Sequence, residues 1–143
     1  MSDHATTDTR EIIVEILLSL EKGQDFSHKL MKAVLDKYDY LDPREKAFIK
    51  RVTEGTIERQ LELDYYLDRF SSVPVRKMKP LIRCLLRMST YQILYMDAVP
   101  DSAVCNEACK LAAKRGFRTL KGFVNAVLRN ICLLYTSPSP RDA

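Results

Sequence analysis

The sequence predicts an all-α domain of six or seven helices, and three observations carry that prediction. No stretch alternates apolar and polar residues as a half-buried strand would. Leu120, Phe123, Val124, Val127, Leu128 and Ile131 recur at i, i+3, i+4, i+7, i+8 and i+11, the spacing of one buried helical face. In the stretch 79–95, Leu81, Ile82, Leu85, Leu86, Ser89, Ile93 and Leu94 form an apolar stripe, while Lys79, Arg83 and Arg87 recur every fourth residue as a basic one.

Taken in order, the helices punctuate themselves. Asp8 with Glu11 three residues later reads as a capping box, and Ile12, Ile13, Ile16, Leu17 and Leu20 make a stripe that stops before Gly23. Ser27 can cap a second helix, with Phe26 and Met31 placed for a hydrophobic staple and Leu30, Val34, Leu35 and Tyr38 as its inner face. Asp42-Pro43-Arg44-Glu45 is a strong start signal: an acidic cap, proline where its missing N–H costs nothing, and glutamate at the third helical position. From there Phe48, Ile49, Val52, Thr56, Leu63, Leu67 and Phe70 hold helical phase to Ser71-Ser72-Val73-Pro74. One long helix of about 27 residues, roughly 40 Å at 1.5 Å per residue, is expected here rather than two kinked near Gly55. Gly55 weakens a helix interior by about 1 kcal/mol against alanine, so it predicts that another backbone packs closely there. After Val99-Pro100 a helix opens at Asp101 or Ser102 and runs to Gly116, and the helix that contains Leu120 to Ile131 follows.

The last dozen residues break this pattern. Residues 132–143 lose helical phase and end in Ser137-Pro138-Ser139-Pro140, which buries nothing. They resemble translated sequencing-adapter read-through. The expected organisation is therefore a flexible start over 1–9, one helical domain over 10–131 and a non-native tail over 132–143, the natural chain continuing past about Ile131.

Composition narrows the function. The chain of 143 residues can close a single core without metals or disulfides. It has no apolar run of membrane-spanning length, and its start is polar and acidic where a signal peptide would be basic and apolar, so a cytoplasmic protein is expected. Cys84, Cys105, Cys109 and Cys132 form no CxxC pair. With His4 and His28 remote in sequence, these cysteines read as buried thiols, and no metal is expected. No glycine-rich turn follows a strand, so neither a nucleotide phosphate nor S-adenosylmethionine has an evident cradle, and no cofactor is expected in this chain. Two histidines cannot build a nucleophilic triad with the residues around them, and Glu54 and Glu107 read as ion-pair partners rather than general acids; no catalytic residue is predicted.

Charge is unevenly distributed. Residues 1–75 carry 11 Lys/Arg against 15 Asp/Glu, a net of −4, whereas residues 76–131 carry 11 Lys/Arg against 3 Asp/Glu, a net of +8. A polyanion would bind the basic half. By its residues alone the chain is a binding module.

Three blocks at consistent spacing, DPREKAFIKRVTEGTIERQLELD (42–64), LLRMSTYQILYMDAVPDSAVCNEACKLAAKRG (85–116) and GFVNAVLRNI (122–131), resemble the NusB-type helical RNA-binding domain. The resemblance spans residues 10–131 and implies a single NusB-like bundle. Two kinds of protein carry this domain. One is the free-standing transcription antitermination factor, which binds a single-stranded RNA signal together with a ribosomal protein. The other is the RsmB-type methyltransferase, which modifies cytosine C5 of small-subunit rRNA with S-adenosylmethionine. Val-Asn-Ala-Val-Leu-Arg (124–129) looks like the methyltransferase version, because free-standing factors more often have glycine and an acid where Ala126 and Arg129 stand here. The arginine cluster common at the start of those factors is reduced to Arg10. The expected function is thus the RNA-binding domain of an rRNA methyltransferase whose catalytic domain, with its S-adenosylmethionine site, lies outside this chain. The alternatives are an antitermination factor and a helical protein-interaction domain. The partners implied are RNA and either a ribosomal protein or the catalytic domain of the same protein.

In this family the RNA face uses the start of the first helix and the turn before the last. The resemblance therefore implicates Arg10, Lys114, Arg115, Arg118, Thr119 and Lys121, which sit at helix ends where cations and free N–H groups meet phosphates. Lys114 and Arg115 can equally complement the carboxyl end of their own helix dipole. Structural roles are expected for Gly55, for Arg87 as a helix-packing ion-pair partner of Glu107, and for Asn106 and Asn125 in buried hydrogen bonds between helices.

Overall fold

A computed structural model describes residues 7–135. Over these residues the chain is all-α: α1 (Thr7–Glu21), α2 (His28–Lys37), α3 (Pro43–Glu58), α4 (Gln60–Phe70), α5 (Pro80–Tyr95), α6 (Asp101–Lys114) and α7 (Lys121–Tyr135), with single 3-10 turns at Val75–Lys77 and Arg118–Leu120.

The organising element is α5. Leu81, Ile82, Leu85, Leu86, Met88, Tyr91, Ile93 and Leu94 are all buried, on more than one side of the helix. A helix that is apolar most of the way round belongs in the middle of a bundle, and α1, α3, α4, α6 and α7 all pack on α5. Each leucine or isoleucine that it buries contributes about 1.5–3 kcal/mol. The apolar stripe of α7 is buried as its spacing predicts, through Val124, Val127, Leu128 and Ile131.

The start signals at Ser27 and Asp42 form as read. The Leu30 N–H donates to the Ser27 hydroxyl at 3.0 Å. Glu45 N–H donates to Asp42 Oδ1 at 2.9 Å while Asp42 N–H donates to Glu45 Oε1 at 3.2 Å, the reciprocal capping box. On α2 only Met31 is fully buried; Leu30, Val34, Leu35 and Tyr38 are half-exposed, so this helix lies at the margin of the core.

Four expectations are corrected. Asp8 is not a cap: α1 already begins at Thr7, and the Asp8 carboxylate accepts from Lys114 instead. Residues 7–9 of the expected flexible start are thus helical, and residues 1–6 lie outside the described residues. The long helix is two helices, and the break falls at Arg59 rather than Gly55. Arg59 leaves helical geometry (φ −107°, ψ 21°), with its guanidinium 4.5 Å from the centre of the Tyr95 ring and 3.6 Å from Glu62. What approaches Gly55 is a side chain, the Tyr91 ring, and not a backbone. Finally, α7 runs to Tyr135, so helical phase persists past Ile131; Cys132 is half-buried, while Leu133 and Leu134 are exposed. Residues 136–143 of the expected tail lie outside the described residues.

Candidate nucleic-acid interface

The end of α6 is built by a glycine turn. Gly116 takes φ +91°, a left-handed value that side chains resist. This lets Gly116 N–H reach Ala113 O (3.2 Å) and Phe117 N–H reach Ala112 O (2.8 Å), the paired bonds that close a helix C-terminus. Phe117 then packs on the core, and one 3-10 turn leads into α7. The Cys109 thiol donates to Lys121 O at 3.7 Å, tying the start of α7 to α6. The result is a short, fixed turn that presents Arg118, Thr119 and Lys121 to solvent.

The six candidate RNA residues divide into three groups. Arg118, Thr119 and Lys121 stand together on this turn, and among the described residues neither cation is ion-paired. Lys114 and Arg115 lie one turn earlier but hold α6 to α1. Lys114 Nζ donates to Asp8 Oδ1 (3.2 Å) and Glu11 Oε1 (2.7 Å), and Arg115 Nη1 to Glu11 Oε2 (3.2 Å) and to Glu15. The Glu11 and Asp8 carboxylates raise the Lys114 pKa above its ordinary value. Arg10 lies apart from both groups. It is 1% exposed, its Nε donates to Gln92 Oε1 at 3.1 Å, and its guanidinium stands 5.3 Å from the centre of the Phe48 ring. This corrects the reading of Arg10 as a phosphate contact, since a buried guanidinium that joins α1 to α5 cannot reach a polyanion.

The structural residues also divide. Arg87 does pack helices, but against Asp64 of α4 (Nε–Oδ1 2.7 Å, Nη2–Oδ2 2.8 Å) and Glu21 of α1 (Nη1–Oε2 3.3 Å); Glu107 pairs with Lys110, one turn along α6, at 3.4 Å. Arg83 grips the same Glu21 carboxylate at 2.8 and 2.5 Å, and this bond holds the Glu21 pKa below its ordinary value. Asn106 is exposed, and Asn125 accepts from Arg129 of its own helix at 3.3 Å, so neither makes the buried interhelical bond expected of it. Sequence reasoning missed the carboxylates of α1 as partners of the basic half. The available signal was the concentration of Asp8, Glu11, Glu15 and Glu21 on one helix otherwise destined for the core.

Among the thiols, Cys84 and Cys105 are buried, and none of the four cysteines is in a disulfide among the described residues. Burial, and then the Glu21 carboxylate, push the Cys84 thiol up to about 12. Cys105 and Cys132 face each other between α6 and α7, and their mutual hydrogen bond lowers the first pKa and raises the second. No group of three or more potential metal ligands occurs among the described residues. No helix among them is long and apolar enough to cross a membrane.

The model of the NusB family matches residues 7–132, nearly all that the structure describes. The chain belongs to the NusB family. Within this family it is 38% identical over 125 residues to a probable ribosomal RNA small subunit methyltransferase B of Bacillus subtilis, covering 87% of this chain but only 28% of that relative. It is 25% identical over 124 residues to the transcription antitermination protein NusB of Acetivibrio thermocellus, covering 86% of this chain and 85% of that one. Its fold matches a chain in a crystal structure of antitermination factors NusB and NusE in complex with dsRNA, with a TM-score of 0.79, 16% identity, and coverage of 90% of this chain and 96% of that one. The NusB fold of this chain thus spans about a quarter of the methyltransferase and most of the antitermination protein.

Proposed function

We propose that this chain is an RNA-binding domain, and that it serves as the RNA-binding part of a small-subunit rRNA methyltransferase acting in the cytoplasm. The observation that carries RNA binding is the fixed turn after α6, where Arg118 and Lys121 remain as exposed cations after the α1 carboxylates have neutralised Lys114 and Arg115. Phosphate contacts position an RNA without reading its sequence, and such a turn supplies them. The methyltransferase assignment is supported by the 38% identity to a relative of that description, against 25% to the antitermination protein, and by Ala126 and Arg129 in α7.

The chain by itself does not methylate RNA in this reading. A Rossmann-type cofactor site is built on a glycine-rich turn between a strand and a helix. The residues present do not fit it, since the described residues form helices only and the left-handed glycines, Gly23 and Gly116, both sit in the turns that end helices. Tritiated methyl transfer to unmodified small-subunit rRNA should give no incorporation above a heat-killed control.

A second reading, a free-standing antitermination factor working with RNA and a ribosomal protein, is favoured by the 85% coverage of that relative.

The test common to both readings is salt-dependent binding to an rRNA fragment. Arg118→Ala with Lys121→Ala should leave thermal stability unchanged, weaken binding, and make the log–log salt slope shallower by roughly one to two units. Lys29→Ala with Lys32→Ala on α2 is the charge-matched control. Equal loss in the two double variants would defeat the assignment of the turn. Absence of RNA binding by the parent would leave a helical protein-interaction domain.

A further inference from the structure

Three more cations without an ion pair stand close together in the turn 75–79 that enters α5. Arg76, Lys77 and Lys79 are exposed, and none of them forms an ion pair among the described residues. The backbone that carries them is fixed from two sides. The Val75 N–H donates to Asp68 Oδ1 at 2.8 Å, and Arg83 Nη1 donates to Val75 O and Met78 O at 3.2 and 2.9 Å. Within the turn, Lys77 N–H reaches Pro74 O at 2.9 Å and Met78 N–H reaches Val75 O at 3.1 Å. Val75 and Met78 are buried in the core, which leaves the three intervening and following cations pointing outward.

Fold stability does not account for three like charges in this place. They stand at the positive end of the α5 dipole, where cations are unfavourable and carboxylates are preferred, and α5 has no acidic residue in its first turn. Asp64 and Asp68 line the same cavity as Arg76, but neither pairs with it: Asp68 accepts from the Val75 N–H and Asp64 is held by Arg87, while Glu21 is held by Arg83. A rigid, uncompensated cluster of this kind matches the phosphate backbone of a nucleic acid.

We propose that the turn bearing Arg76, Lys77 and Lys79 is a second phosphate-binding surface for RNA, separate from the turn at Arg118 and Lys121. It rests on the RNA-binding reading above. The two surfaces lie toward opposite ends of α1. Arg83 at the start of α5 holds Glu21 at the last residue of α1, whereas Lys114 at the end of α6 holds Asp8 and Glu11 at its beginning. Those 15 residues of helix span about 22 Å. A nucleic-acid strand with duplex-like spacing has one phosphate per 3.4 Å or so, so an RNA of that spacing that touches both surfaces extends over about six phosphates.

Fluorescence anisotropy with labelled oligouridylate of about 16 nucleotides, the upper range for one small single-strand binding fold, tests this. Arg76→Ala, Lys77→Ala and Lys79→Ala combined should keep the parent melting temperature, because the side chains are exposed. The variant should bind more weakly, with a log–log salt slope about two units shallower. Lys29→Ala, Lys32→Ala and Lys37→Ala combined is the control with the same change in net charge. A 76/77/79 variant that matches this control in affinity and slope overturns the second surface, and does so while the Arg118/Lys121 variant still reports on the first. Failure of the parent to bind the oligomer at low salt overturns both surfaces together.

Discussion

The Tyr91 ring of α5 occupies the place where any side chain on residue 55 of α3 would have to stand. Gly55 is therefore a packing residue, and its helix-weakening effect of about 1 kcal/mol is the condition for bringing α3 against α5. Gly55→Ala should destabilise the domain by about 1–3 kcal/mol, although alanine is the better helix former. Combining it with Tyr91→Ala should cost clearly less than the two single losses added together, because the cause of the clash is gone. Equilibrium urea unfolding measures both; strict additivity would mean that the ring moves aside freely.

Arg87 is the common partner of α4 and α1, bound bidentately to Asp64 and singly to Glu21. Arg87→Ala leaves both carboxylates near the core without this cation and should cost about 1.5–3 kcal/mol, a range set by their partial exposure. The same cluster predicts an acid limb. The Arg83 bond lowers the folded-state pKa of Glu21 below the ordinary value of 4.5, so the unfolded chain takes up the proton first as pH falls. The stability from this group is fully present above about 4.5 and is lost as pH falls from there through the folded value. Melting temperature followed from neutral pH to acid should show a shallower decline below 4.5 in Glu21→Gln than in the parent.

Arg10 provides a test of burial against RNA contact. Arg10→Ala removes the bond to Gln92 and the stacking on Phe48, and should lower stability by about 2–3 kcal/mol. At temperatures where the variant remains folded, its RNA salt slope should equal that of the parent. A slope shallower by about one unit would place Arg10 on a phosphate.

Truncation after Cys132 should change stability by less than about 0.5 kcal/mol. It removes Leu133 and Leu134, which are 71% and 52% exposed and bury little. Thermal melting of the shortened chain checks this, and a fall of many degrees would mean that residues beyond Cys132 cover the core.

What was legible in the sequence was local. The capping residues Ser27 and Asp42 act on N–H groups three positions away, and the stripes of α5 and α7 need only the helical period. The break at Arg59 was not legible, because Gln60, Leu61 and Glu62 are acceptable helix formers and Leu63 and Leu67 stay in phase. The turn is fixed by Tyr95, which is remote in sequence. Arg10 was misassigned, and Arg87 was given its helix-packing role but the wrong partner, for the same reason: only the placement of Gln92, Asp64 and Glu21, remote in sequence, decides what each guanidinium meets. Arg118, Thr119 and Lys121 could be grouped in advance because they are adjacent along the chain, whereas the neutralisation of Lys114 and Arg115 depends on α1, a hundred residues earlier in the sequence.

The pairing of α1 carboxylates with Arg83, Arg87, Lys114 and Arg115 has a consequence for dissection of the chain. Cutting in the loop between Phe70 and Val75 would separate a fragment of net charge −4 from one of net charge +8, and every one of those bonds would join one fragment to the other. Neither piece keeps a closed core, since α5 belongs to one and its neighbours α1, α3 and α4 to the other. The two pieces are mutual templates, expected to be largely unfolded apart and to reassemble when mixed at low ionic strength, so that the domain can be switched on by bringing its halves together.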